Sequence, residues 1–459
     1  MRDLVLQLDR SLGRRVGVER ALRQAIRDGQ LTPGSQLPSS RALAEDLGLA
    51  RATIVAAFEQ LTVEGYLVSR HGVGTIVSEV PSTALEAPLE EGLGPTMAAD
   101  FRPGEPDASL FPRAAWLRSV RRVVNGSPDS LLGYGHPTGL SSLRTALGTY
   151  LGRSRAVFAD PAAISIFGGS TSAVGFLGEM FQTLGITRVA VEDPTLPFLR
   201  DVWKLVGITP LPVPIDDEGI DVEALDRLGV HAVVVTPSHQ YPLGVTMSAT
   251  RRAEIIGWAR SRDGWIIEDD YDGEFRYDRQ PIGALQGLDP ERVIYMGTAS
   301  KSLSPSLRIS WLVVPRELAS PLARVKHLRA GVSTIDQGAL ADFIDRGELD
   351  RHVRHVRSVY QQRQIELVQR LRSDVQWLSV PDIQAGLHLT ATFDEATTKI
   401  SECELVQRAR ELSIGLFGLS EHYLRSAPDC GLVLGYTRPP QHGYAEALDR
   451  LLNFLKSAQ

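Results

Sequence analysis

Lys301 follows a short apolar run in Tyr295-Met296-Gly297-Thr298-Ala299-Ser300-Lys301, and Arg308 stands seven residues on. Upstream, Glu268-Asp269-Asp270-Tyr271 closes a second apolar run, Trp265-Ile266-Ile267. Further back, Gly168-Gly169-Ser170-Thr171-Ser172-Ala173 follows Ile164-Ser165-Ile166-Phe167. An amine, a carboxylate at a strand end, a phenol, a small-residue turn ahead of a helix and an arginine together match the needs of pyridoxal phosphate. The aldehyde of that cofactor takes a lysine as a Schiff base, and its ring nitrogen needs a carboxylate so that the ring can withdraw electrons. Its phenolic oxygen needs a donor, and its phosphate needs helix N-terminal amides and a cation. Lys301, Asp269 or Asp270, Tyr271, the Gly168–Ala173 turn and Arg308 are the candidates.

A different chemistry sits near the N-terminus. Pro38-Ser39-Ser40-Arg41 opens one short helical pattern, and Ala50-Arg51-Ala52-Thr53 opens the next after a tight turn. Two helices so joined let the second enter a DNA major groove, with Arg51 and Thr53 facing base edges or phosphates. Arg41 is placed to grip backbone phosphate. Arg70 and His71 stand at a glycine-flanked hairpin tip (Gly72, Gly74), which suits a wing reaching the minor groove.

The elements that position these residues are legible in the pattern. Residues 12–28 carry Val18, Leu22, Ala25 and Ile26 at helical spacing, ended by Gly29 and Pro33-Gly34. Helices are expected from Ser39 or Ser40 to Gly48 and from Arg51 to Glu64, and strands at 67–68 and 75–77. Residues 79–99 hold Pro81, Pro88 and Pro95 and four acids but no Lys or Arg, and read as a linker. From residue 100, short apolar strands at 164–167, 189–191, 232–235, 265–267, 293–295 and 311–314 alternate with helical segments, the mark of a largely parallel α/β sheet. A long helix through 352–371, strands at 387–389 and 432–434 and a closing helix at 444–455 suggest a smaller α+β subdomain. The domains expected are therefore 1–78, the linker 79–99, and 100–459.

Bulk composition narrows the classes. With 43% hydrophobic and 23% charged residues in 459, the chain is globular. No apolar run approaches the ~20 residues of a membrane span, and the charged start Met1-Arg2-Asp3 shows no signal-peptide core. A cytoplasmic protein is expected. Two cysteines, Cys403 and Cys430, support neither a disulfide framework nor a cysteine-based zinc site. Net charge is −6; residues 1–80 hold ten Arg, no Lys and nine acids, a net of +1, leaving −7 for the rest. DNA affinity must then come from clustered arginines and helix N-termini.

Residues 12–78, in the order helix, helix, turn, helix, Glu64-Gly65-Tyr66-Leu67 and glycine-flanked hairpin, resemble the winged helix-turn-helix of the GntR family. There the DNA contacts come from the positions of Arg41, Arg51, Thr53, His71 and Gly72. The order of Gly/Ser turn, Asp-ended strand, Ser-Lys and Arg resembles fold-type I aminotransferases. Phe101-Arg102-Pro103-Gly104-Glu105-Pro106-Asp107, Tyr134-Gly135-His136-Pro137, Thr236-Pro237-Ser238-His239-Gln240-Tyr241-Pro242, Glu268 through Tyr277 and Arg351-His352-Val353-Arg354 narrow the resemblance to the MocR subgroup of GntR regulators. It spans nearly the whole chain and implies a homodimer with a head-to-tail, domain-swapped arrangement. It implies Lys301 as the Schiff-base lysine, Asp269 rather than Asp270 as the ring-nitrogen partner, and Tyr271 as the phenolic-oxygen donor. Ser170, Thr171, Thr298, Ser300 and Arg308 would hold the phosphate, joined by Tyr134 from the other subunit.

Two positions depart from that pattern. Glu192-Asp193-Pro194-Thr195-Leu196 has leucine where relatives place a ring-stacking tyrosine, with Phe198 as a substitute. Val433, in Leu432-Val433-Leu434, stands where aminotransferases place an arginine that clamps the substrate carboxylate; Arg425 and Arg438 flank it. The chain is thus expected to be a regulator that binds an operator in double-stranded DNA. It would sense pyridoxal phosphate, or an amine or amino-acid effector, through an internal aldimine. The alternative is an active aminotransferase with a fused DNA-binding domain.

Overall fold

The computed structural model describes residues 6, 8, 13–79, 97–277, 282–327, 331–381 and 385–458. The chain divides into two compact units, Met1–Pro95 and Thr96–Gln459. Most of the expected linker, residues 80–96, lies outside the described residues.

In the first unit, α1 (Arg14–Arg27), α2 (Ser40–Leu47) and α3 (Arg51–Val63) precede a hairpin of β1 (Leu67–Arg70) and β2 (Gly74–Val77). The Ser39 hydroxyl caps α2 by accepting from the Ala42 N–H at 3.2 Å. Gly48 ends that helix at φ 63°, a left-handed conformation that glycine adopts without steric cost. Val18, Leu22, Leu43, Ile54 and Leu61 are buried together, each contributing ~1.5–3 kcal/mol of burial. Arg23 and Glu64, with Nη2 to Oε2 at 2.6 Å, tie α1 to the end of α3.

The second unit opens with β3 (Ala99–Asp100), followed by α4 (Arg113–Gly126) and α5 (Ser141–Arg155). The main sheet comprises β4 (Ile164–Phe167), β5 (Arg188–Asp193), β6 (Thr209–Asp216), β7 (Gly219–Ile220), β8 (Ala232–Val235), β9 (Trp265–Asp269), β10 (Val293–Thr298) and β11 (Ser310–Val313). Their spatial order is β4-β11-β10-β9-β8-β5-β6-β7. β6, β5, β8, β9 and β10 are mutually parallel, and β11 runs antiparallel to both β10 and β4. Helix α6 (Ser170–Thr183) links β4 to β5, and α7 (Pro197–Leu205) links β5 to β6. Strands such as Ile164–Phe167 and Trp265–Asp269 are buried throughout, as parallel strands covered on both faces must be.

The smaller subdomain packs helices Glu348–Asp374 and Tyr444–Ser457 with a sheet of β12 (His388–Phe393), β15 (Cys430–Gly435) and β14 (Phe417–Gly418). The short strand β13 (Ile414–Gly415) pairs in parallel with β3. Ala99 is buried in that pairing, so the second unit starts before residue 100. No helix among the described residues is long and apolar enough to cross a membrane.

Candidate functional site

The carboxyl ends of the central strands and the N-terminus of α6 surround a cavity of about 400 Å³. That is where open α/β sheets place their ligands. Lys301, in the turn after β10, lines it, as do Asp269, Tyr271, Thr298, Ser170 and Arg308. Eight of the nine residues assigned to the cofactor from the sequence therefore share one cavity wall.

Lys301 is buried, and its amine donates to the Gly104 carbonyl. Burial lowers its pKa, against the opposing charges of Asp269, Glu105 and Asp272. The turn that carries it is held from below: His352 Nε2 donates to the Ser302 carbonyl at 2.7 Å. Asp269 ends β9, and burial pushes its carboxyl up to about 7 while Lys301 pulls it down. Its carboxylate has no hydrogen-bond partner among the described residues. Asp270 differs completely. It lies against the Arg155 guanidinium, at 2.7 Å from Nε and 2.9 Å from Nη2, and accepts from the Tyr295 hydroxyl at 2.8 Å. Of the two aspartates, Asp269 lines the cavity and Asp270 is enclosed in a structural ion pair.

Gly169, at φ 97°, caps α6, and the Arg308 guanidinium lies over it. A Cβ at Gly169 would stand 3.1 Å from Arg308 Cζ. Arg308 is itself left-handed at φ 49°, and its guanidinium makes no hydrogen bond or ion pair among the described residues. An arginine poised over a 14-residue helix's free N–H groups is an anion site of phosphate type. Thr298 and Ser300 join its rim, Thr298 Oγ1 accepting from the Ser300 N–H at 3.1 Å. The Tyr271 hydroxyl donates to the His239 carbonyl at 3.1 Å. His239 Nδ1 lies 2.8 Å from Asp272 Oδ2. Burial, then the Asp272 charge, push the Tyr271 phenol well above its usual range, so it stays a donor. A base-poised amine, an unpartnered buried carboxyl, a protonated phenol and an unpaired arginine at a helix N-terminus are the groups that pyridoxal phosphate calls for.

Tyr134 stands apart, its side chain fully exposed. Leu196 and Phe198 both line the cavity, Leu196 partly buried and Phe198 exposed. Val433 is fully buried within β15, opposite Thr390 and Phe417. Arg425 turns away and donates to the Pro212 carbonyl at 2.8 Å. Arg438 lines the cavity instead, and its guanidinium meets Asp100 and Glu105.

Residues that the sequence reading left without a role surround this wall. Glu192 is buried, with its carboxyl pushed up to about 7 by burial, and accepts from the Thr236 hydroxyl at 2.6 Å. His239, Asp272 and His388 are buried with ligating atoms within 4.8 Å of one another. Thr236 and His239 lie in motifs quoted above; Arg155, at the end of α5, carries no local signal of its pairing with Asp270.

In the first unit, Arg41 and Arg51 are exposed at the starts of α2 and α3, and Thr53 is half-buried one turn into α3. Arg51 Nε lies 3.4 Å from Ser40 Oγ, linking the two helix starts. The Arg41 side chain makes no hydrogen bond or ion pair among the described residues. His71 and Gly72 are exposed at the hairpin tip, Gly72 at φ 80°.

Comparison with known proteins agrees with both units. Residues 15–77 match the gntR family of bacterial regulatory proteins, and residues 104–418 match aminotransferase class I and II. The chain is 35% identical to the probable rhizopine catabolism regulatory protein MocR of Rhizobium meliloti, over 94% of this chain and 92% of that one. It is 35% identical to the HTH-type transcriptional regulator YhdI of Bacillus subtilis, over 90% of each. It is 31% identical to the pyridoxine biosynthesis transcriptional regulator PdxR of Corynebacterium glutamicum, again over 90% of each. An archaeal alanine:glyoxylate aminotransferase superimposes with a TM-score of 0.72 at 22% identity, covering 79% of this chain and 92% of its own, which shows the shared fold.

Proposed function

The chain belongs to the MocR subgroup of GntR transcriptional regulators, and from that membership we propose that it is a pyridoxal-phosphate-dependent regulator whose aminotransferase-like domain serves as a sensor. The observation that carries this reading is the convergence of three groups on one cavity: the buried Lys301 amine, the unpartnered Asp269 carboxyl, and Arg308 above the N-terminus of α6. When bound, pyridoxal phosphate supplies an electrophilic aldehyde on an electron-withdrawing ring.

Lys301 would attach the cofactor, and its burial favours the neutral, nucleophilic amine. Asp269 would serve the ring nitrogen and keep it protonated. Tyr271 would donate to the phenolic oxygen. Arg308, Ser170, Thr171, Thr298 and Ser300 would hold the phosphate. Tyr134 would serve the phosphate of the partner's cofactor in a domain-swapped homodimer; its full exposure supports that use. Leu196 would offer the ring an apolar side chain, helped by Phe198. Arg41, Arg51, Thr53, His71 and Gly72 contact the operator from the first unit.

The domain senses rather than turns over substrate. Val433 provides no cation at the late strand, so an α-carboxylate is not clamped there for transamination. The effector is pyridoxal phosphate itself or an amine that exchanges at Lys301, and it acts by binding two conformations unequally. The work is cytoplasmic, on the cell's DNA. The test is an absorbance spectrum of the purified chain with pyridoxal phosphate, followed by borohydride reduction and peptide mapping. A visible cofactor band and a pyridoxyl group on Lys301 are expected. A colourless protein that stays unmodified contradicts the cofactor half of the reading.

A further inference from the structure

The loop Pro103-Gly104-Glu105 touches both chemical ends of the cavity. Its Gly104 carbonyl accepts the Lys301 amine proton. Its Glu105 carboxylate lies 3.1 Å from Arg438 Nη2. On the other side of that guanidinium, Arg438 Nε is 3.0 Å from Asp100 Oδ2. Asp100 is itself gripped by Arg102, at 2.6 Å from Nη2 to Oδ2. The Asp100 contact is therefore backed by a second arginine. The Glu105 side chain is 52% exposed, and its carboxylate has no other hydrogen-bond or ion-pair partner among the described residues. Arg438 Nη1 has no partner among them either.

Three arginines line the cavity: Arg200, Arg308 and Arg438. Arg308 belongs to the phosphate end. Arg200 donates to the Tyr423 and Glu421 carbonyls at 3.0 and 3.4 Å. Arg438 alone is paired with a carboxylate that can leave.

We propose that Glu105 is a built-in stand-in for the effector's carboxylate. One loop supplies an acceptor carbonyl to the lysine amine and a carboxylate to Arg438. An amine taking Lys301's place would form its bond to the cofactor's aldehyde carbon as the lysine's bond to that carbon breaks, releasing Lys301 as the free amine, and its own carboxylate would compete with Glu105 for Arg438. The effector is accordingly an amino acid whose carboxylate replaces Glu105 on Arg438, and this assignment rests on Lys301 being the point of amine exchange. Arginine suits that role because its fork matches a carboxylate with two parallel hydrogen bonds. The loop follows β3, the first strand of the second unit, and so lies close in sequence to the boundary at Pro95.

The test uses the full chain loaded with pyridoxal phosphate. It is titrated with glycine, β-alanine and γ-aminobutyrate, and separately with methylamine, ethylamine and propylamine, following the cofactor's visible absorbance. In at least one matched pair the amino acid is expected to bind roughly tenfold tighter or more, the worth of one charge-assisted contact. Arg438→Gln should bring that ratio to about one without changing alkylamine affinity, and Arg438→Lys should restore part of it. Glu105→Gln, at a half-exposed position, should tighten the amino acid several-fold and leave the alkylamine within about twofold. Equal affinities across every pair in the wild type, or a ratio unchanged in Arg438→Gln, overturn the assignment. A wild-type protein with no cofactor band overturns the cofactor reading beneath it, an outcome distinct from a normal band with no discrimination.

Discussion

Replacing Arg308 with alanine separates cofactor binding from folding more cleanly than any other change in the cavity. The guanidinium makes no hydrogen bond or ion pair among the described residues, so its removal leaves no protein group unpaired. Alanine and arginine share the steric cost of the left-handed conformation at φ 49°, so backbone strain is nearly unchanged. Folding stability should shift by no more than about 0.5 kcal/mol, as for a surface site. Phosphate binding should suffer, because a hydrogen bond to a charged partner is worth about 1.5–3 kcal/mol. That predicts a loss of roughly 10- to 100-fold in affinity for pyridoxal phosphate. The assay is equilibrium titration of cofactor-free protein by absorbance, with pyridoxal as the control ligand lacking the phosphate. Affinity for pyridoxal should be unchanged. If the variant loses both ligands equally, or unfolds at markedly lower denaturant, Arg308 is structural and the phosphate end has been misplaced.

The two neighbouring aspartates should behave as opposites. Asp270→Asn strips the charge from Arg155, whose side chain is 1% exposed, and should cost about 3–5 kcal/mol in denaturant unfolding; a neutral result removes the ion pair from the account. Asp269→Asn should weaken cofactor binding yet stabilise the cofactor-free protein. A carboxyl whose folded pKa is raised to about 7 binds its proton more tightly when folded, so its penalty grows as pH climbs from about 4 to about 7. The variant's advantage should therefore be absent at acid pH and full above neutrality, and a pH-independent difference argues against the burial of that carboxyl. Arg51→Ala should weaken DNA binding and reduce the salt slope by about one while leaving the cofactor band intact; loss of both together means misfolding.

The sequence is informative where local chemistry and burial agree. Ser39 and Gly48 announce α2 because capping and the left-handed stop are properties of those residues themselves. Ala232–Val235 is buried almost throughout, and its apolar run says so. β6 escaped notice because Pro210, Pro212 and Pro214 argue against a strand. They fall on alternate residues, so every missing N–H faces away from β5, whose ladder uses the others, as Thr209 N–H to Thr187 O at 2.9 Å begins to show. The Asp269–Tyr271 and Lys301–Arg308 spacings are readable because the first pair closes β9 and the second falls within the single loop between β10 and β11. Arg155 and Asp270 are far apart in sequence, and only the folded chain brings them together. The same holds for Arg438, which looks like a surface residue until the fold sets Asp100 and Glu105 beside it.

The occupant of the cofactor cavity is proposed to govern the DNA-binding unit. That control is tested most directly by measuring the affinity of the full chain for the DNA upstream of its own gene, by fluorescence anisotropy, with pyridoxal phosphate bound and after the cofactor is stripped with hydroxylamine. Coupling between two such sites is typically about 1–3 kcal/mol, so the two affinities should differ by roughly fivefold or more. Equal affinities in the two states, with Lys301 demonstrably loaded in one and free in the other, would contradict the claim.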